Sequence, residues 1–240
     1  MRVLLTNDDG IDAPGIAAME TAIRAIGWES IVVAPATEHS MCGHRITTHT
    51  PLVVTPRGEG RFSVAGTPAD CVRLGLFALD LRPDAVLAGV NAGGNLGQDI
   101  VISGTVAAAR EAAYHGVRSI AMSHYLKRNL SVNWERTANW VSQILEEIEV
   151  DRQEPGHIVN INFPHPPPDE FELPPRVWCH PEPAPLGVKY REHTRECGAR
   201  EFHYTAVYNE RPRQAGSDVD VCFTGRIALS RIGTDGRSLL

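Results

Sequence analysis

The sequence lacks the cysteine and histidine patterns that hold a disulfide framework or a zinc ion. Its five cysteines are scattered and form no C-x-x-C pair, and its ten histidines nowhere recur four residues apart. Neither a disulfide-bonded scaffold nor a zinc-binding module is indicated, because both need such spacings. We therefore expect the cysteines to be free thiols.

Long apolar runs are also missing. No uncharged apolar stretch approaches the ~18–20 residues that a membrane-spanning helix needs. Acids at positions 8 and 9 interrupt the opening residues before the apolar region of a signal peptide could form. We therefore expect a cytoplasmic protein that has no membrane partner.

Positive charge is in deficit, with 23 Lys and Arg against 29 Asp and Glu and a formal net charge of −6. This balance argues against binding to a nucleic-acid polymer, which requires clustered basic side chains that release counterions. A smaller anionic ligand would need a local source of positive charge, such as a metal ion or a helix N-terminus. Hydrophobic residues make up 42% of the 240 positions, which is enough for a sizeable core.

Short apolar strands alternate with helices over residues 1–163. The alternation predicts a doubly wound, Rossmann-like α/β sheet with mostly parallel strands. An excursion at 36–66 contains two strand candidates, 46–55 and 62–65, which predict an antiparallel pair at the sheet edge. The predicted buried strands are 2–6, 30–34, 84–89, 117–123 and 157–163, and the predicted helices are 14–27, one starting at Thr67, 104–115 and 132–148.

Prolines crowd the chain after residue 163, with nine of them between positions 164 and 185. Proline removes a donor from the sheet ladder. Residues 164–240 are therefore predicted to form an irregular, proline-rich arm with short strands, one near 226–230, outside the central sheet. We expect this arm to belong to the same domain as the 1–163 core and to pack on that core or on another subunit.

Two adjacent acids follow the first predicted strand, in the tetrapeptide Asn7-Asp8-Asp9-Gly10. Ligands of doubly wound sheets bind beyond the carboxyl ends of the strands. Two carboxylates there would repel a pyrophosphate, so NAD binding is disfavoured. The acids suit a hard cation such as Mg²⁺ or Mn²⁺, although the tetrapeptide is equally typical of an Asp-Gly turn with a helix-capping acid.

A glycine-rich loop follows the strand predicted at 84–89, and it carries Asn91 and Asn95. The tripeptide Ser103-Gly104-Thr105 then opens a helix. A helix N-terminus with hydroxyls and a glycine forms an anion site, although simple capping is the commoner use of such hydroxyls. Two acids that suit a metal ion and a helix start that suits an anion are both predicted at one edge of the sheet. Together they indicate metal-assisted chemistry on a phosphate.

Several segments, taken in order and spacing, resemble the survival protein E (SurE) family. The combination of NDDG, N-A-G-x-N-x-G and SGTVAAA is highly specific to this family, whereas any one of these motifs alone would not be. The resemblance spans most of the chain and is densest before residue 125. The segments are VLLTNDDGIDAPGI at 3–16, VAGTPADCVRLGL at 64–76, AGVNAGGNLGQDIVISGTVAAAREA at 88–112, NINFP at 160–164 and GSDVDVCFTGRIALSRI at 216–232.

This resemblance implies a metal-dependent phosphatase that acts on nucleoside monophosphates as a 5′-nucleotidase, with 3′-nucleotidase and exopolyphosphatase activities as further options. It implies one divalent ion, Mg²⁺ or Mn²⁺. It also implies a homodimer or homotetramer whose C-terminal elements exchange between subunits. The implied metal ligands are Asp8, Asp9, Ser40 and Asn91, with Asp8 and Asp9 catalytic, and the implied phosphate contacts are Asn95, Ser103, Gly104 and Thr105.

The chain departs from the family pattern in two places. Ser40 is followed by Met41-Cys42-Gly43-His44-Arg45 instead of a glycine and a Ser-rich stretch, so this loop is expected to have a different shape. His44 and Arg45 are predicted either to contact substrate or simply to be exposed at the surface. Ile102 stands where an aromatic residue often precedes the SGT turn.

The residues leave the mechanism open between attack by water and attack by an aspartate. The D-D spacing differs from the D-x-D pattern of phosphatases that form an aspartyl-phosphate, so water attack is preferred. Two other functions also fit the same residues: a sensor that binds a metal-nucleotide complex without turnover, and a metal-dependent hydrolase of another ester or amide.

Overall fold

The structure is a computed structural model that describes residues 1–150 and 154–239. The strands are β1 (Arg2–Thr6), β2 (Glu29–Pro35), β3 (Val54–Pro56), β4 (Arg61–Val64), β5 (Ala85–Ala92), β6 (Arg118–His124), β7 (His157–Phe163), β8 (Arg176–Trp178), β9 (Tyr190–Thr194), β10 (Arg200–Tyr204) and β11 (Ile227–Gly233). The helices are α1 (Pro14–Ala25), α2 (Pro68–Arg73), α3 (Asp99–Ile102), α4 (Gly104–Tyr114), α5 (Trp134–Glu147) and α6 (Asp218–Phe223).

Nine of the strands in the described residues form one sheet in the order β3-β4-β2-β1-β5-β6-β7-β11-β8. The run from β4 to β7 is parallel throughout. The strand order reverses between β1 and β5, which is the topological switch point of a Rossmann-type sheet and the usual place for a ligand. The loops after β1 and β5 therefore meet at the expected binding crevice.

Helices cover both faces of the sheet and bury two apolar clusters. On one face, Ile16 and Met19 of α1 and Trp140 of α5 pack against strand residues such as Leu5. On the other face, Val72 of α2 and the small residues of α4 pack against residues such as Leu4. Alternate residues of β1 therefore enter opposite layers. The predicted doubly wound α/β fold is confirmed.

The helix starts follow the sequence signals closely. Pro14 opens α1 at its first position, where the missing N–H costs nothing. Thr67 and Asp70 form a reciprocal capping box at α2, with Asp70 N–H to Thr67 Oγ1 at 3.2 Å and Thr67 N–H to Asp70 Oδ2 at 3.0 Å. None of the helices in 1–150 and 154–239 combines the length and apolar character that crossing a membrane requires.

The C-terminal third differs from its prediction at β11. This strand lies inside the sheet, antiparallel to β7 and parallel to β8, so the prediction that residues after 163 stay outside the sheet is wrong here. The reason is local, because Ile227–Gly233 contains no proline and is almost entirely buried. The hairpin of β9 and β10 does stand apart from the main sheet, with largely exposed strands.

The excursion after β2 is only partly as predicted. The strands β3 and β4 do pair antiparallel at the sheet edge, but β3 covers only Val54–Pro56 of the predicted 46–55. Thr47, in the part predicted as strand, instead binds the Asp70 carboxylate through its N–H at 2.8 Å and its hydroxyl at 2.7 Å. Side-chain anchoring of this segment therefore replaces strand pairing.

A fully buried histidine ends β6. The ring of His124 stacks on Trp140 with centroids 6.5 Å apart and meets His165 edge-on at 5.0 Å. Its Nδ1 lies 2.8 Å from the Tyr125 carbonyl, whereas its Nε2 has no hydrogen-bond partner among the described residues. Burial lowers the pKa of His124 to about 4, so the ring is neutral in the folded protein at neutral pH.

Acid is therefore expected to destabilise the fold through His124. The unfolded chain binds this proton near its ordinary pKa of 6.5 and the folded chain only near 4. Between these pH values the unfolded state binds more protons, so the free energy of unfolding falls as pH falls, by up to about 3 kcal/mol. Replacing His124 by Phe should flatten this part of a stability-versus-pH curve measured by urea unfolding.

The exposed His49, changed to Gln, provides the control. It should leave the pH slope of the unfolding free energy unchanged. Carboxyl groups that titrate in the same pH range contribute equally to the slopes of the wild type and the variants. Their contribution therefore drops out when the slopes are compared. Parallel curves for the wild type and His124→Phe would show that this histidine does not cause the acid sensitivity.

Candidate active site

A cavity of about 550 Å³ opens at the carboxyl ends of β1, β2 and β5. All four predicted metal ligands line it, as do two of the predicted phosphate contacts, Asn95 and Ser103. Residues between 186 and 211 line its other side. The sheet therefore brings together side chains from three loops that are separated by 30 to 50 residues in the sequence.

Asp8 is buried at the centre of this constellation and only 5% exposed. Its Oδ1 accepts a hydrogen bond from the Thr105 hydroxyl at the start of α4. The pKa of Asp8 is raised to about 6, chiefly by burial and also by the neighbouring Asp9 charge, which together outweigh the lowering by the hydrogen bond from Thr105. Such a carboxylate lacks a positive charge to compensate it, which is the situation that a bound cation corrects.

Asp9 is half-buried and held from the other side of the switch point. Its Oδ2 accepts the Ala92 N–H at 3.0 Å, which ties the loop after β1 to the end of β5. Burial raises the pKa of Asp9, and the nearby Glu38 carboxylate adds to the increase. Three acids therefore concentrate negative charge in one part of the cavity.

Ser40 and Asn91 complete a donor set made entirely of oxygens. The Asn91 amide nitrogen donates to the Gly93 carbonyl at 2.8 Å, which assigns that atom as nitrogen and leaves Oδ1 as the available donor to a cation. The Ser40 hydroxyl donates to Glu38 Oε1 at 2.5 Å, so its oxygen lone pairs remain available. Two carboxylates, a hydroxyl and an amide oxygen fit Mg²⁺ or Mn²⁺.

The described residues contain no metal-holding cluster of three or more His, Cys, Asp or Glu side chains. The proposed donor set would not form such a cluster, since only two of its four members are acids. Glu38 is a site residue that the sequence reasoning missed. Its position two residues before Ser40 is the one local signal that could have indicated it.

The SGT turn caps α4 and borders the cavity. Ser103 caps α4 by accepting the Val106 N–H at 3.1 Å, and it also lines the cavity. Thr105 is fully buried, and its hydroxyl is engaged by Asp8. A Cβ added at Gly104 would lie 2.9 Å from Asp8 Oδ2 and 3.0 Å from Cys42 Sγ, so only glycine allows α4 to approach the acids this closely.

Asn95 lies in a buried amide network. The side-chain nitrogen of Asn95 donates to the Ser123 hydroxyl at 2.7 Å. Its backbone carbonyl accepts from the side-chain nitrogen of Asn160 at 2.9 Å and from that of Asn162 at 3.1 Å. The sequence segment NINFP therefore contributes by fixing the glycine-rich loop through these two asparagines. This long-range role carries no local sequence signal.

The C-terminal side of the cavity holds a second group that sequence reasoning missed. Asp99 Oδ2 accepts from the Tyr208 hydroxyl at 2.6 Å and from Arg211 Nη1 at 2.7 Å. The Arg211 guanidinium also donates to the Leu96 carbonyl at 3.1 Å and lies over the Tyr208 ring. Arg211 thus fastens the C-terminal segment to the glycine-rich loop, and its charge is already paired.

A Rossmann-type sheet with an acidic, oxygen-rich cavity at its switch point defines an α/β protein of the class whose small ligands bind at that point. The family model described as "Survival protein SurE" matches residues 3–180. The chain belongs to the SurE family.

Related proteins are similar over two thirds or more of the chain. A protein of Nostoc sp. (strain PCC 7120) that carries a provisional 5′-nucleotidase name is 46% identical over 232 residues, which cover 97% of this chain and 99% of the relative. The 5′-nucleotidase SurE of Methylorubrum extorquens (strain PA1) is 41% identical over 72% of this chain and 69% of its own. The crystal structure of the SurE protein from Aquifex aeolicus superposes with a TM-score of 0.86 at 29% identity, covering 98% and 94% of the two chains.

Proposed function

We propose that this chain is a metal-dependent 5′-nucleotidase that hydrolyses nucleoside monophosphates to nucleoside and phosphate. The observation that carries the proposal is the pair of adjacent carboxylates, buried Asp8 and half-buried Asp9, which share one cavity with the oxygens of Ser40 and Asn91. The names of the similar SurE proteins support the choice of substrate. The cavity lies within the range of about 300–1,000 Å³ that is typical of small-molecule sites.

A divalent ion held by Asp8, Asp9, Ser40 and Asn91 would neutralise phosphate charge and lower the pKa of a water. The chain's own groups would do the rest. The N-terminus of α4 lies against Asp8 and would bind phosphate oxygens with its partial positive charge. Ser103 and Asn95, on the cavity wall, would complete these contacts, and the nucleoside would lie along the wall that includes Val207 and Tyr208.

Attack by water remains the preferred route over attack by an aspartate. Asp8 Oδ1 is occupied by the Thr105 hydroxyl and Asp9 Oδ2 by the Ala92 N–H, so each acid is oriented by a donor as a ligand would be. A nucleophilic aspartate would form an aspartyl-phosphate. Mass spectrometry of the acid-quenched enzyme would detect that adduct, and finding it would reverse the assignment.

Further properties belong to the same proposal. Activities on 3′-nucleotides and on polyphosphate use the same chemistry at phosphorus and are proposed as side activities. A homodimer or homotetramer is supported by the exposed β9–β10 hairpin, where Tyr190 and Phe202 are each more than half exposed. A cytoplasmic location is supported by the five free cysteines, which are typical of a reducing compartment.

Inorganic phosphate release from 5′- and 3′-nucleoside monophosphates and polyphosphate, with Mn²⁺, Mg²⁺ or EDTA, tests the proposal. We expect release from 5′-nucleotides that requires a divalent ion and that EDTA abolishes. Metal-dependent nucleotide binding without release would instead indicate a sensor. Hydrolysis of carboxylic esters, measured as acid release, with no phosphate release from phosphate esters would indicate another hydrolase.

The contact between Thr105 and Asp8 predicts how Thr105→Val behaves. Valine has nearly the same shape but leaves the buried Asp8 oxygen without its donor, so Mn²⁺ affinity should fall by about 10–100-fold, whereas Thr105→Ser should stay close to wild type. Titration with Mn²⁺ in the absence of nucleotide measures this effect. A rise in KM for 5′-AMP with unchanged Mn²⁺ affinity would mean that Thr105 contacts phosphate instead.

A further inference from the structure

A buried carboxylate on α4 lies outside the cavity and has no part in the proposed chemistry. Glu111 is 6% exposed, and both of its oxygens are engaged. Its Oε2 lies 2.7 Å from His44 Nε2, and its Oε1 lies 3.0 Å from His115 Nε2 and 3.6 Å from Arg73 Nε. His115 lies four residues further on, as the C-terminal cap of α4, whereas His44 comes from the loop after β2 that carries Ser40, called the Ser40 loop below.

The Ser40 loop is also held by backbone groups on both sides of its tip: the His39 N–H donates to the Asp8 carbonyl at 2.7 Å, and the Arg45 carbonyl accepts from the Thr67 hydroxyl at 2.6 Å. Ser40 and Met41 are exposed, and the backbone is left-handed at Met41 and at Gly43, with φ of 52° and 58°. The Gly43 N–H donates to the Ile102 carbonyl at 2.9 Å. The next residue, His44, is the first side chain after Ser40 that reaches a buried partner by a short hydrogen bond.

The same helix also positions Asp8. Its first turn holds that carboxylate through Thr105, and Glu111 follows Thr105 by six residues on the same rigid element. Each of the two ligand-bearing loops, after β1 and after β2, is thus hydrogen-bonded to α4 through a side chain, and the His44 ring also lies 5.8 Å from the Tyr114 ring of that helix. A shift of the Ser40 loop relative to α4 would change the distance between Ser40 and Asp8.

We propose that His44 is a positioning residue: its hydrogen bond to Glu111 fixes the Ser40 loop on α4 and so holds the Ser40 oxygen at the metal site. This inference rests on the proposed function, because it assigns Ser40 to a bound cation. It also explains how the unusual sequence after Ser40 presents that serine. The His44 side chain is only 22% exposed, which corrects the prediction of simple surface exposure, and it does not line the cavity in which substrate is proposed to bind.

His115 provides a matched control, since it contacts the same carboxylate without touching the loop. The test compares His44→Ala, His44→Gln and His115→Ala in the full-length protein. The measurements are the Kd for Mn²⁺ by isothermal titration without nucleotide, the thermal midpoint, and kcat and KM for 5′-AMP. The Gln side chain can place an amide N–H close to the position of His44 Nε2, so it serves as the rescue variant.

We expect His44→Ala to weaken Mn²⁺ binding by about tenfold, His44→Gln to restore most of it, and His115→Ala to change it less than about twofold. Both alanine variants should lower the thermal midpoint to a similar extent. Equal Mn²⁺ affinities in the two alanine variants would overturn the inference and leave Glu111 as a purely structural group. If His44→Ala does not fold, His44→Asn, which is too short to reach Glu111, takes its place.

Different results would overturn the proposed function and the role of His44. If the wild type shows no Mn²⁺ binding and no metal-dependent phosphate release, the proposed function fails and this inference falls with it. If the wild type binds Mn²⁺ and is active while His44→Ala matches His115→Ala, only the role of His44 is overturned.

Discussion

Asp9→Asn is expected to lower kcat for 5′-AMP by about a thousandfold, because it removes one of two negative charges from the proposed metal site. Losing several kcal/mol of metal-dependent charge stabilisation corresponds to a factor of this size. The asparagine carbonyl can still accept the Ala92 N–H that Asp9 binds at 3.0 Å, so the loop should keep its shape. Phosphate release and the thermal midpoint are the measurements.

Asp12→Asn is the matched control, because it removes the same charge from the same loop. Asp12 is exposed and pairs with Arg57 at 3.0 Å instead of lining the cavity around Asp8. Its replacement should leave kcat within about twofold of wild type, since exposed ion pairs contribute little. A folded Asp9→Asn enzyme with near-normal turnover would contradict the assignment of Asp9.

Gly104→Ala should have the second-largest effect. The added methyl group would lie 2.9 Å from Asp8 Oδ2 and 3.0 Å from Cys42 Sγ, so the buried carboxylate or the helix must move. Overpacking of this kind costs about 1–3 kcal/mol of stability. Displacing Asp8 should also lower Mn²⁺ affinity and kcat by about 100-fold, since small misplacements of catalytic groups are costly.

Gly187→Ala separates this steric effect from a general effect of adding a methyl group. Gly187 also lines the cavity, but a Cβ there meets nothing within 4 Å. That variant should keep wild-type Mn²⁺ affinity and stability. If Gly104→Ala behaves like Gly187→Ala, the close approach of α4 to Asp8 is not needed for activity.

The sheet was predictable because its signals are local. Apolar runs, Pro14 and the Thr67 capping box mark most strand and helix limits within a few residues. Asp8, Asp9 and Asn91 were also predictable as neighbours, since they follow strands that border the switch point. Ser40 depended on the family resemblance, because a single loop serine has no distinguishing pattern of its own.

The remaining features depend on contacts between distant parts of the chain. The Arg211–Asp99 ion pair joins residues 112 apart, and the His44–Glu111 pair joins residues 67 apart. Neither leaves a periodicity or a spacing that a single sequence would reveal. The prolines at 164–185 also obscured the place of β11 inside the sheet, although a strand near 226–230 was predicted, because they dominate the composition of a segment whose last strand contains none.

The central claim is that oxygens from the loops after β1 and β2 and from the end of β5 hold one divalent ion. A crystal structure grown with Mn²⁺, with anomalous differences collected at the manganese edge, tests it most directly. One strong manganese peak is expected within bonding distance of Asp8, Asp9, Ser40 and Asn91. A fully loaded protein with its manganese peak elsewhere, or with no peak in the cavity, would contradict it.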